Sequence, residues 1–180
     1  MYFWTDDDIR RFSEQQSDEI RLLINSYKLG VARSDAFRYF LLKEIGGLYV
    51  DLDFVNLGSL GWLDGMNSFA CGDQGDGCLC NAFMWAPNPN DPFFAGIEDS
   101  LLLSASEENP VSATGPHFLT AYSKGRKFIK IPTPWLYPVP WDSSEEIVLA
   151  RRGGLEDLRT KYPSARAIHI WTRSWFDQCV

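Results

Sequence analysis

Apolar residues recur at three- and four-residue spacings along the N-terminal part of the chain and then give way to short runs, a pattern that predicts helices feeding strands. Thr5-Asp6-Asp7-Asp8 is a cap cluster, and Ile9 and Phe12 mark the inner face of a helix over about residues 7–13. Residues 18–27, with Ile20, Leu22, Leu23, Ile24 and Tyr27, predict a second helix, stopped at Lys28-Leu29-Gly30. A third is expected from Ser34, a good N-cap. Asp35 stands in its first turn, where the helix dipole favours negative charge, and Phe37, Phe40, Leu41 and Ile45 form its apolar face. Gly46-Gly47 ends it and lets the chain reverse into Leu48-Tyr49-Val50, which reads as a strand.

Strands are also expected at residues 2–4, 68–71, 81–87 and 167–171, and a well-buried helix at 92–103, where apolar residues lie on most sides. Residues 56–67 are turn-rich, 72–77 read as a mobile loop with solvated Asp73 and Asp76, and 107–112 as a loop. Gly115-Pro116 starts a helix, since proline is tolerated at the first helical position. Pro132, Pro134, Pro138 and Pro140 restrict residues 129–140 to an edge segment or surface loop, because proline removes ladder donors. Trp135, Tyr137 and Trp141 stand in or beside this segment; exposed aromatic rings suit the apolar faces of sugars, but in a chain with 14% aromatic residues each of them reads first as a packing residue.

At 180 residues the chain is long enough for one sizeable core and short for two, so a single compact α/β domain over 1–180 is expected. Its 45% apolar and 23% charged residues are ordinary for a soluble globular protein. A net charge of −7 argues against a nucleic-acid partner, and Lys124-Gly125-Arg126-Lys127 is a brief basic turn. Nothing approaches the roughly 20 apolar residues of a transmembrane helix, and the N-terminus lacks the order of a signal peptide. A cytoplasmic location is expected, or a lumenal one if the chain is a fragment of a longer secretory protein. Cys71, Cys78, Cys80 and Cys179 lack zinc-knuckle spacing and read as reduced and structural, or as disulfide partners in a lumenal setting.

The candidate chemistry begins at Asp51 and Asp53. They are read as carried by the same buried strand, where alternation points both carboxylates to one face and turns Leu52 into the core; the bland alternative is an exposed strand-to-loop junction with two solvated aspartates. Carboxylates that close repel unless solvated or sharing a cation, and a hard divalent ion such as Mg²⁺ or Mn²⁺ is the natural third party. His169 alternates with Ile168 and Ile170 in the last strand and, taken alone, reads as a core histidine.

Ser34-Asp35-x-x-Arg38-Tyr39 followed by Gly46-Gly47-x-Tyr49-x-Asp51-x-Asp53 resembles the sugar-binding DXD region of glycosyltransferase family 32 and its relatives, among them yeast-type mannosyltransferases, α1,4-galactosyltransferases and clostridial glucosylating toxins. Trp4-Thr5-Asp6-Asp7-Asp8-Ile9 and the terminal His169-x-Trp171, with Ser174-Trp175, resemble further family elements. The resemblance implies a GT-A-like (Rossmann-like) mixed sheet with flanking helices, a minimal or N-terminally truncated member lacking the family's first strand. It implies transfer of a hexose, with retention, from a UDP- or GDP-sugar to a glycan, lipid or other hydroxyl acceptor.

By the same resemblance, Asp51, Asp53 and His169 would hold Mn²⁺ or Mg²⁺. Asp35, Arg38, Tyr49, Asp51, Asn81, Ser174 and Trp175 would line the nucleotide-sugar donor, and Asp35, Arg38, Asp51 and Asp53 would carry catalysis. Two alternatives stand beside it. One is a haloacid-dehalogenase-like phosphatase with Asp51 as nucleophile, although Phe54-Val55-Asn56 is not the sequence that class carries after its aspartates. The other is a shortened domain that binds sugar nucleotide or glycan without turnover.

Overall fold

The computed structural model describes residues 1–172. Helix α1 (Asp6–Glu14) starts as its sequence signals: the Thr5 hydroxyl accepts from the backbone of Asp8, whose carboxylate accepts from the backbone of Thr5, a reciprocal capping box. Helix α2 (Asp18–Ser26) is capped by Ser17 and buries Leu23 and Ile24. Residues 2–4 form no strand: Tyr2 and Phe3 are exposed, and only Trp4 packs against the core, edge-on to Phe37.

Helix α3 (Gly30–Ile45) departs from expectation at both ends. It begins before Ser34, with Leu29 at the cap position, so Ser34 caps nothing and Asp35 lies well inside the helix. Ile45 points to solvent. Every residue from Asp35 to Leu42 is buried, so the expected amphipathic helix is a central one packed all round, and that is what draws the charged Asp35 and Arg38 indoors. Gly46, at φ +71°, closes it by donating to the Leu42 carbonyl.

Strand β1 (Gly47–Val50) follows at once, then a turn, then β2 (Phe54–Asn56). Strands β3 (Ala70–Asp73) and β4 (Leu79–Ala86) form a hairpin with a register shift at Cys71/Gly72. Residues 92–103 are a 3₁₀ turn (Pro92–Phe94) and a separate helix α4 (Ile97–Ser104), whose Leu102 and Leu103 are exposed rather than buried. Within 107–112, read as loop, the short α5 (Pro110–Ala113) begins, and α6 (Pro116–Tyr122) starts at the proline as read.

Strand β5 (Ile129–Ile131) and the turn-like α7 (Thr133–Leu136) precede two helices the sequence reading missed, α8 (Ser144–Arg152) and α9 (Leu155–Lys161). Strand β6 (Ala167–His169) ends the described chain.

The mixed α/β architecture is as expected. The main sheet runs β1-β4-β3-β5, antiparallel except for the parallel β3/β5 pair, and β5, the proline-flanked segment, is at its edge. A two-stranded sheet pairs β2 with β6 antiparallel, Phe54 opposite His169. Two cores result. Phe37, Phe40, Met84 and Phe93 belong to the one around α1–α6, and Phe83, Ile131, Leu136 and Ile168 to the one joining the sheets. Cys71, Cys78 and Cys80 are free thiols, while Cys179 lies outside the described residues. No helix among the described residues is long and apolar enough to cross a membrane.

Candidate active site

Asp51-Leu52-Asp53 is a turn, not a continuation of β1. The amide of Asp51 makes the last bond to β4, donating to the Ala82 carbonyl, and Phe54 N–H then closes back on the Asp51 carbonyl at 3.3 Å. Leu52, expected in the core, sits at the turn's apex with 85% of its surface exposed. Turning does what alternation was expected to do: one donor atom each from Asp51, Asp53 and His169 lie within 4.8 Å of one another. His169 reaches the cluster because β6 lies beside β2 in antiparallel register, and the Ile170 amide donates to the Asp53 carbonyl at 2.9 Å.

Each carboxylate is held from behind. Tyr49 Oη donates to Asp51 Oδ1 at 2.9 Å, and Arg38 Nη1 lies 3.2 Å from the same oxygen. Arg38 also donates to the Asn81 carbonyl at 2.9 Å, pairs with Asp35 at 3.0 Å and lies 4.4 Å over the Tyr49 ring. Burial works against the guanidinium charge, but Asp51, Tyr49 and Asp35 outweigh it and hold the pKa above its ordinary value. Burial pushes the Tyr49 phenol up too, so it stays a donor to Asp51.

Asp53 Oδ1 meets His169 Nε2 at 2.8 Å, and Oδ2 accepts from the backbone and hydroxyl of Thr172 at 2.9 and 3.0 Å. Burial alone would raise its pKa, but the bonds and charge of His169 and the two bonds of Thr172 bring it down to about 2. Asp53 is therefore an acceptor only, which assigns the proton of the shared bond to His169 Nε2. His169 is stacked on Phe54 with centroids 4.6 Å apart, and its Nδ1 is buried with no hydrogen-bond partner among the described residues.

Asp35 and Arg38 are each only 5% exposed, so they lie behind Asp51 and not on an open surface. Asp35 accepts from the Thr114 hydroxyl at 3.3 Å. Burial, opposed by Arg38 and reinforced by the charge of Asp51, raises its pKa to about 6. The Asn81 side chain is buried beside this group and eases the ionisation of Asp35. Ser174 and Trp175, the other residues expected at a donor site, lie outside the described residues. Asp73, read as solvated, is buried at the end of β3, paired with Lys130 at 2.6 Å and accepting from the amides of Gly75 and Gly77.

Two residues here were missed by sequence reasoning. Thr172 holds Asp53, and Thr114 holds Asp35 and accepts at its carbonyl from buried Tyr39. Neither has a local signal, since their partners lie 119 and 79 residues away in sequence.

The donor set fits a divalent ion. Two carboxylates and an imidazole converge, one carboxylate is ionised far below neutrality, and the imidazole has a buried ring nitrogen without a partner among the described residues. Hard oxygen donors suit Mg²⁺ or Mn²⁺.

Residues 1–71 match the model of the glycosyltransferase sugar-binding region containing DXD motif, so the family resemblance carried by Asp35, Arg38, Asp51 and Asp53 is borne out. An uncharacterized glycosyltransferase, L373, of Acanthamoeba polyphaga mimivirus is 29% identical over 130 residues, 68% of this chain and 52% of that protein. The mannosyl phosphorylinositol ceramide synthase CSH1 of Saccharomyces cerevisiae is 40% identical over 50 residues, 28% of this chain and 13% of the yeast protein. The chain thus spans about half the length of the viral relative and a smaller part of the yeast one. Among solved structures, the PaToxG glycosyltransferase aligns with 64% of this chain and 39% of its own at 19% identity and a TM-score of 0.44.

Proposed function

We propose that this chain, whose first 71 residues match the DXD sugar-binding region, is the catalytic part of a metal-dependent retaining glycosyltransferase. It moves a hexose from a UDP- or GDP-sugar to the hydroxyl of a glycan, lipid or other acceptor. The observation that carries the reading is the convergence of Asp51 and Asp53, inside the matched segment, with His169, outside it, each aspartate fixed by its own set of donors.

Asp51, Asp53 and His169 would hold the divalent ion, which when bound neutralises charge on the diphosphate leaving group as a Lewis acid. The chain's own residues set up that site before any ligand arrives. Arg38 and Tyr49 fix the rotamer of Asp51 from a buried position, so its orientation is settled by the core. Thr172 fixes Asp53 and His169 shares its other oxygen, so the two strands meeting here cannot separate without freeing the carboxylate. Such preorganisation lets charged groups act without rearranging at the moment of reaction. The name of the yeast relative makes a mannosyl donor and a lipid acceptor the first pair to try.

The test is a thermal-shift titration with Mn²⁺ and a panel of UDP, GDP and their sugars, on the wild type and on Asp53→Ala, because a ligand binding only the folded form raises the melting temperature with its concentration. One nucleotide is expected to stabilise the wild type only when metal is present, with no shift in the variant, and a transfer assay with the corresponding sugar follows. If no nucleotide shifts the wild type, the donor-binding reading fails. If one does but no transfer occurs, the chain is a binding relic of the fold.

A further inference from the structure

The geometry points to a saccharide-binding subsite, serving the acceptor, in the pocket between the turn at residues 74–76 and the proline-rich segment 133–142; as an acceptor site it rests on the glycosyltransferase reading above. The pocket is lined by Gln74, Asp76, Thr133, Tyr137, Trp141 and Asp142, with Gly75 and Pro140.

The indole of Trp141, 41% exposed, is oriented at the rim: Nε1 donates to Asp76 Oδ2 at 3.2 Å, and the same oxygen accepts from Gln74 Nε2 at 3.0 Å. Asp76 Oδ1 in turn accepts from the Cys78 amide at 2.9 Å, which ties the arrangement to the hairpin. A flat apolar face bordered by carboxylate, amide and hydroxyl groups is what a sugar ring requires. Its C–H face stacks on the aromatic and its hydroxyls donate to the acids.

The charge selects among sugars and their derivatives. Among the described residues the lining has two aspartates and no Lys, Arg or His, a balance that disfavours a phosphate or diphosphate and favours a neutral polyol. This separates the pocket from a donor site. Its position joins it to the chemistry, because Tyr137 lines the pocket while its ring packs against His169 at 5.9 Å and Phe54 at 5.8 Å. Trp171 Nε1 also donates to the Val139 carbonyl at 2.8 Å, binding the segment to the strand that carries His169. The pocket is one aromatic side chain from the Asp53–His169 pair, a placement that suits a molecule whose hydroxyl must reach the donor.

The test titrates ¹⁵N-labelled protein with methyl α- and β-D-glycosides of mannose, galactose and glucose, following the Trp141 indole N–H resonance, assigned by its absence in Trp141→Phe. A saturable shift with at least one glycoside is expected. Trp141→Ala should weaken that glycoside's binding, and raise its KM as acceptor, about tenfold, equivalent to about 1.4 kcal/mol. Trp141→Phe, which keeps an aromatic face, should recover most of the loss. Asp142→Asn, which leaves the indole's own bond intact, provides a second variant with weakened binding. If no glycoside moves the indole resonance, the subsite is overturned. If transfer proceeds with the same acceptor KM in Trp141→Ala, the subsite falls and the glycosyltransferase reading stands. If a glycoside binds there while no nucleotide sugar is bound or turned over in the presence of Mn²⁺, the acceptor role and the glycosyltransferase reading fall together.

Discussion

Asp53 and His169, 116 residues apart in sequence, share a hydrogen bond of 2.8 Å that joins the turn after β1 to the end of β6. The bond is possible because Phe54 and His169 are directly opposite in the β2/β6 pair, so the register of a two-stranded sheet decides whether the three donor groups meet. Asp53 then does two things: it holds His169 and Thr172 in place, and it adds a charge to the cluster.

Replacing Asp53 by Asn separates these roles. The amide keeps the size and one acceptor but loses the charge and turns an NH₂ group toward neighbours that are themselves donors. Mn²⁺ affinity should fall at least tenfold, since residues that merely orient a metal ligand already contribute about 10–100-fold. Titration with the free ion followed by electron paramagnetic resonance reads the change directly. An unchanged affinity would remove Asp53 from the ligand set.

Arg38 is the keystone of the buried side. It serves Asp35, Asp51 and the Asn81 carbonyl at once, and a methionine of similar length would leave all three without it. Breaking a buried pair by removing one partner costs about 3–5 kcal/mol, and Arg38→Met should lose at least that in urea denaturation. Arg38→Lys should recover little, because one ammonium cannot span the fork of a guanidinium. A lysine variant as stable as the wild type would refute this account of the cluster.

Much of this was legible before any coordinates. Capping and turn signals are local, so α1, α2, the Gly46-Gly47 stop and β1 fall where the sequence puts them. The family resemblance carried by Asp-x-Asp and His-x-Trp names Asp51, Asp53 and His169, and in the structure one donor atom of each lies within 4.8 Å of the others. What local pattern could not supply is how the chain is enclosed. Periodicity predicted one apolar face for α3, whereas that helix is surrounded, and its charged residues are buried because they pair across space. Leu52 is assigned to the core by extending β1 three residues too far, through Asp53, since nothing in Asp-Leu-Asp marks the switch from strand to turn. Helices α8 and α9 bury only Ile147, Ala150 and Leu158 between them, too few for a clear period. Their acidic first turns and basic last turns, Glu145-Glu146 to Arg151-Arg152 in α8, were the available signal.

Asp35 gives the fold a distinct response to pH. Its pKa rises from 3.8 to about 6 on folding, so between those values the folded chain binds more protons than the unfolded one. Stability therefore falls as pH rises through this window, by at most about 3 kcal/mol. Asp53 and Asp73 are shifted the other way and lose their contribution only below the ordinary carboxylate range. Chemical denaturation of the wild type and Asp35→Asn at pH 4, 5, 6 and 7 isolates the effect. The wild type should lose stability across the series relative to the variant, and parallel profiles would show that Arg38 fully offsets the burial of this carboxylate.

The two glycines between α3 and β1 have left-handed backbones, Gly46 at φ +71° and Gly47 at +91°, but different surroundings. A Cβ on Gly46 would meet the Asn88 carbonyl carbon at 2.9 Å and the Ala86 oxygen at 3.1 Å, both backbone atoms that cannot swing aside. A Cβ on Gly47 meets nothing within 4 Å. Gly47→Ala should therefore cost only the conformational strain, about 1–2 kcal/mol. Gly46→Ala adds a clash with the loop after β4, for which overpacking costs of about 1–3 kcal/mol are typical. Because Asp51 hangs from β1 through its bond to Ala82 on that same β4, the Gly46 variant should also lose Mn²⁺ affinity while the Gly47 variant keeps it. Thermal denaturation and a metal titration of both variants test this ordering, and equal losses in the two would show that backbone strain alone governs the junction.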